Sequence, residues 1–132
     1  MNNKPVFAVL LVVLALVLAP FAAANPRIDY LLYCGGCHLE NGSGDPPEVP
    51  DLRADVDRIV SAPGGRAFMA QVPGSAQAPF SDAKLAGVLN YIVTEFNPEL
   101  ATFEPFTAEE IAGYRGGPLL DPGKRRAQIL GD

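Results

Sequence analysis

Cys34 and Cys37 stand three positions apart, with Gly35 and Gly36 between them and His38 immediately after, and His38 is the only histidine in the 132-residue chain. These five residues constrain the fold more than any other feature, because few chemistries use two thiols and an imidazole so close together. A redox pair of the thioredoxin kind expects the motif at the end of a strand in a βαβ pattern, and no such alternation surrounds it. A tetrahedral zinc site lacks ligands, since the sequence has no third cysteine and no second histidine. A structural disulfide leaves the adjacent histidine as a coincidence.

One chemistry uses all three side chains. In haem attachment of the c type, two thiols add across two vinyl groups of one porphyrin, which requires close, fixed spacing. The backbone leaving the second thioether then runs beneath the ring and brings the next residue's imidazole under the iron. The expectation is one covalently bound haem c, with Cys34 and Cys37 as thioether residues and His38 as proximal iron ligand.

The first 24 residues have the order of a secretory leader: one charge at Lys4, an unbroken apolar run from Val6 to Leu18, then Ala22-Ala23-Ala24 before Asn25-Pro26. The apolar run is shorter than the ~20 residues a membrane-spanning helix needs and ends in Pro20 and small residues. Cleavage near Ala24 and a periplasmic or otherwise exported domain are expected, with a membrane association only if the leader is retained. Loss of Lys4 leaves nine basic residues against fifteen acidic ones and moves the net charge from −5 to −6. Such a chain is a poor ligand for nucleic acid, and electrostatic steering favours a partner with a basic docking patch.

Helical periodicity recurs through the rest. Ile28, Leu31 and Leu32 predict a short helix that carries the motif. The breaker-dense run Asn41-Gly42-Ser43-Gly44-Asp45-Pro46-Pro47 predicts a loop wrapping one haem edge. Val56, Ile59 and Val60 share a face of a helix over 54–61 that Pro63-Gly64-Gly65 stops. The clearest helix follows Ser81, with Leu85, Val88, Leu89, Ile92, Val93 and Phe96 on one side, and ends before Pro98. Gly87 and Tyr91 on it invite a close neighbour with an aromatic alongside. Thr107 and Glu110 have capping-box spacing for a helix over 107–114, and residues 121–130 can add a last turn or two. Strand-like alternation of useful length is absent. The expected fold is all-α: a leader over 1–24, a small helical domain over 25–97 around one haem, and a C-terminal extension over 98–132, packed or partner-docking.

The iron's sixth position has few candidates. A second histidine does not exist, and Met1 belongs to the leader, so Met69 is the only thioether that remains. It sits between the motif and the long helix. Two roles stay open for it: distal iron ligand, or a core side chain beside Phe68 in a short helix. Two roles are likewise open to Pro50: an ordinary loop residue, or one whose carbonyl accepts from the second nitrogen of His38 and fixes the ring.

Cys34-Gly35-Gly36-Cys37-His38, Pro50-x-Leu52, a later methionine and a closing amphipathic helix resemble, in that order, the small class I cytochromes c. The resemblance covers roughly residues 26–97. It implies a few helices around one haem, with the first and last core helices crossing, and electron shuttling rather than catalysis. It implies thioethers at Cys34 and Cys37, proximal ligation by His38, and a Pro50 carbonyl that orients that histidine. The family's ligand methionine is often followed directly by proline, whereas Ala70-Gln71-Val72 stands between Met69 and Pro73 here. The expected partners are redox proteins, a donor dehydrogenase and an acceptor cytochrome or oxidase. A haem subunit of a larger oxidoreductase, and a five-coordinate haem that binds a small ligand, are the competing expectations.

Overall fold

The computed structural model describes residues 25–100 and 102–132; the leader expected over 1–24 lies outside them. Eight helices are described: α1 Pro26–Tyr33, α2 Gly35–His38, α3 Leu52–Ser61, α4 Gly65–Gln71, α5 Pro73–Ala76, α6 Asp82–Phe96, α7 Ala108–Tyr114 and α8 Pro122–Leu130. Among the described residues there is no strand beyond the single bridge of Asp45 with Val49. None of these helices is long and apolar enough to cross a membrane. The all-α expectation therefore holds.

Local chemistry explains where the helices begin. The Asn25 side chain accepts from the Arg27 and Ile28 amides with Pro26 at the first helical position, so α1 starts one residue after the first residue beyond the leader's expected end. Ser81 Oγ accepts from the Lys84 amide to start α6, and the Asp121 carboxylate accepts from the Lys124 amide to start α8. Thr107 Oγ1 accepts from the Glu110 amide at 3.2 Å. The Glu110 carboxylate is also engaged by Arg66 at 2.5 Å through both oxygens.

The core is built on α6. Leu85, Ala86, Val88, Leu89, Ile92 and Val93 are buried on it at helical spacing, each large side chain contributing about 1.5–3 kcal/mol of hydrophobic stabilisation. Val56, Ile59 and Val60 of α3, Phe68, Met69 and Ala70 of α4, and Phe106 and Ile111 of the extension complete it. Helix α1 lies on α6 through Tyr30, whose ring centroid is 5.6 Å from Tyr91 and 5.2 Å from Phe96. An ion pair of 2.9 Å between Lys84 and the nearly buried Asp29 ties the same two helices. Gly87 faces the Pro26 ring, but an added Cβ would sit at an ordinary 3.8 Å, so glycine is not demanded there. At Gly65 the demand is real: a Cβ would lie 1.6 Å from the Ile59 carbonyl oxygen, so the turn from α3 into α4 closes only without one.

The extension packs on this core. Helix α7 lies against α6 and α4, and α8 against α3 and α4. The Asn90 side chain holds Phe106 as a neighbouring strand would, accepting from its amide at 2.7 Å and donating to its carbonyl at 3.1 Å. The basic stretch Lys124-Arg125-Arg126 is helical, with Arg126 paired to Asp55 and Arg58 donating to the Leu130 carbonyl.

The Arg66 guanidinium holds the Glu110 carboxyl below its ordinary pKa. A carboxyl lowered on folding stabilises in full above its unfolded pKa, about 4.3 for glutamate, and loses that contribution as pH falls through the lower folded value. Glu110→Gln is expected to lower thermal stability at neutral pH and to remove part of its fall on the acid side. Melting curves of both proteins from neutral pH down through the carboxylate range check this.

Candidate functional site

Helix α1 delivers the motif directly. The Cys34 amide donates to the Tyr30 carbonyl at 2.8 Å, then the Cys37 and His38 amides donate to the Cys34 carbonyl at 3.2 and 2.9 Å. That single tight turn puts both sulfurs and the imidazole on one short piece of chain. The thiols are not joined in a disulfide; Cys34 is half-buried and Cys37 exposed. Burial, with Cys37 nearby, pushes the Cys34 thiol up to about 11. A redox-active Cys-x-x-Cys requires a thiolate held well below its ordinary pKa, so the shift runs against the thioredoxin-like reading. Among the described residues no cluster of three or more His, Cys, Asp or Glu side chains is placed to hold a bare metal ion, as the zinc reading requires.

His38 is half-buried, and its Nδ1 lies 3.0 Å from the Pro50 carbonyl oxygen. A carbonyl only accepts, so Nδ1 carries the proton and Nε2 keeps its lone pair. Burial lowers the imidazole pKa against the opposing pull of the Pro50 bond, which favours the neutral ring that a metal needs. The structure thus brings Pro50 to His38 in the geometry the sequence left open.

Several contacts hold that pairing in place. The Gly44 amide donates to the His38 carbonyl at 3.0 Å, and the Leu52 amide donates to the Gly42 carbonyl at 2.8 Å, folding the loop back on the motif. Asn97, buried at the end of α6, donates to the Leu52 carbonyl at 3.1 Å and so anchors the segment that follows Pro50. Tyr30, whose hydroxyl burial pushes up to about 12, stays protonated and donates to the Leu39 carbonyl at 2.6 Å. Leu39 itself is in the left-handed region at φ 61°, directly after His38.

Gly44 has φ +59°, and a Cβ there would lie 2.5 Å from the Val49 carbonyl oxygen and 2.7 Å from that of Pro50, the acceptor of His38. Gly44→Ala is expected to destabilise the protein by at least about 1 kcal/mol from the left-handed backbone alone, and more as the Pro50 carbonyl is displaced. Thermal unfolding followed by circular dichroism measures it.

Large apolar side chains are left open around the motif. Leu32 is 70% exposed, with Tyr33 and Leu39 also exposed nearby. Two unpaired thiols, one free imidazole nitrogen and this apolar rim fit the edge and face of a porphyrin. Met69 is on α4, 6% exposed within the core. Among the described residues no hydrogen bond joins α4 to the motif, so the two halves of the expected iron site rest on separate elements.

No protein-family model matches the chain. It is similar to cytochrome c-552 of Thermus thermophilus, at 33% identity over 106 aligned residues covering 65% of this chain and 81% of the relative. It is also similar to a cytochrome c-552 from a defined strain of the same organism, at 33% identity over 106 residues covering 65% of this chain and 72% of the relative.

Proposed function

Because the chain belongs to the c-type cytochromes, a family of haem-bearing electron carriers rather than enzymes, we propose that it is an exported carrier with one covalent haem, exchanging single electrons between larger redox proteins. Cys34 and Cys37 are the thioether residues, His38 the proximal ligand, Pro50 the residue that orients it, and Met69 the distal ligand. The observation that carries this reading is the 3.0 Å approach of His38 Nδ1 to the Pro50 carbonyl, on the residue directly after the two free thiols.

Bound haem c supplies a one-electron iron couple in a planar ring. The polypeptide does the rest. The turn from Cys34 to His38 fixes both sulfurs and the imidazole relative to one another. The Pro50 carbonyl locks the ring's orientation and increases the electron density that Nε2 offers. Thioether ligation by Met69 favours the reduced metal over what a second imidazole would give, and a buried, apolar setting favours it further. Phe106 and Ile111 of the extension are buried inside the chain's own core.

Export after cleavage near Ala24 rests on the leader's composition, and a partner with a basic docking patch rests on the net charge of −6 that cleavage leaves. Donor dehydrogenase and acceptor cytochrome or oxidase are the partner classes. The test is stopped-flow oxidation of the reduced protein by small complexes of opposite charge. Oxidation by a cationic cobalt complex is expected to slow as salt rises and oxidation by ferricyanide to quicken. A reduced protein that resists both oxidants would contradict a carrier role.

A further inference from the structure

The segment that carries Met69 is held at both ends by the extension. At its start, Arg66 pairs with both oxygens of Glu110, donates to the Glu104 carbonyl at 2.9 Å and lies 4.0 Å over the Phe106 ring. At the end of α4, Gln71 Nε2 donates to the Tyr114 carbonyl and the Leu119 amide donates to the Gln71 carbonyl, both at 2.9 Å. The next stretch, from Val72 to Phe80, contains only the single turn of α5, so few helical bonds define its shape.

Arg115 supplies what regular structure does not. Its side chain is 16% exposed and reaches from the end of α7 into this stretch. Nε donates to the Ala76 carbonyl at 3.3 Å, Nη1 to the Phe80 carbonyl at 2.6 Å, and Nη2 to the carbonyls of Ser75, at 3.5 Å, and Ala78. Nη1 also faces the Asp82 carboxylate at 3.5 Å. A guanidinium is a rigid planar fork whose charge strengthens each bond, so one side chain fixes four carbonyls in a single arrangement. None of these contacts is to the motif, and the four carbonyls all lie in the segment between Met69 and α6.

We propose that Arg115 is a positioning residue for the distal side of the haem: by tying the Ser75–Phe80 carbonyls to the extension, it keeps the Met69 segment closed and the thioether resistant to exchange with competing ligands. This rests on Met69 as distal ligand. A competing ligand must wait for the segment to open, so its apparent affinity scales with the open fraction.

The ferric holoprotein is titrated with imidazole, following the weak near-infrared band of methionine-ligated ferric haem. Arg115→Gln is expected to bind imidazole at least about tenfold more tightly, because several charge-assisted bonds to the closed segment are lost. Arg115→Lys keeps the charge without the fork and is expected to bind at least about threefold more tightly. Arg126→Gln breaks the contact with Asp55 on the α3–α8 side and is expected to stay within about twofold of the original. If Arg115→Gln does not fold, Arg115→Lys carries the test alone. Unchanged imidazole affinity in a folded Arg115 variant overturns the proposal, as does an equal rise in Arg126→Gln, which would mark general destabilisation. Absence of the near-infrared band from the unmutated protein overturns Met69 ligation, and the positioning role with it. A normal band with unresponsive Arg115 variants overturns the positioning role alone.

Discussion

Changing Cys34 and Cys37 together to serine is expected to leave no haem on the chain after denaturing electrophoresis. Serine keeps the size and polarity of the side chains but cannot form the thioethers, so only His38 and the distal ligand would then hold the iron. Those coordinate bonds would depend on the folded geometry, above all on the Pro50 carbonyl that lies 3.0 Å from His38 Nδ1. Unfolding destroys that geometry, whereas two carbon–sulfur bonds survive it. Haem staining of the gel should therefore fall from full intensity to background, a near-total loss. Each single serine variant retains one sulfur and should keep some covalent haem. Staining that persists in the double variant would place the attachment elsewhere.

Met69→Ala is expected to remove the near-infrared band from the ferric protein completely. The same variant should bind carbon monoxide readily when reduced and should have a lower reduction potential, since a methionine ligand raises the potential relative to nitrogen or oxygen donors. Truncating a buried methionine also costs about 2–5 kcal/mol in a core, so a fall in stability alone does not separate ligand from packing residue. The band and carbon monoxide binding do. An unmutated ferric protein that already lacks the band, with a Met69→Ala variant that merely melts earlier, would mean that Met69, 6% exposed among Phe68 and Ala70, serves the core and leaves the iron to another ligand.

The helices were legible where apolar spacing was sustained. Leu85 to Val93 and the Val56, Ile59, Val60 face are buried as their periodicity predicts, and Ser81, Thr107 and Asp121 mark the starts of their helices. Between Gly65 and Phe80 the pattern is weak, because two short helices flanked by Pro63-Gly64 and broken at Pro73 are too brief for sustained periodicity; Phe68, Met69 and Ala70 are buried on the first, and contacts from outside hold the rest. The residues that hold them cannot be found by spacing. Arg115 meets Ser75 and Phe80 across 35 to 40 positions, and Arg66 meets Glu110 across 44.

The motif stands out in the sequence, since the attachment chemistry proposed for it would dictate the spacing of Cys34, Cys37 and His38. Its supports stand out less. Spacing alone leaves Pro50 two roles, and the orienting one is supported by the position of its carbonyl 3.0 Å from His38 Nδ1. Gly44 looks in sequence like any loop breaker, although its missing Cβ leaves room for that carbonyl. Asn97 and Tyr30 carry no local signal, because a polar side chain's partner is set by tertiary packing rather than by neighbours in sequence.

Covalent attachment of a single haem is tested most directly by the intact mass of the exported protein after denaturation. The expected mass is that of residues 25–132 plus one haem. A mass equal to the polypeptide alone, with its cysteines either free or joined, would contradict it.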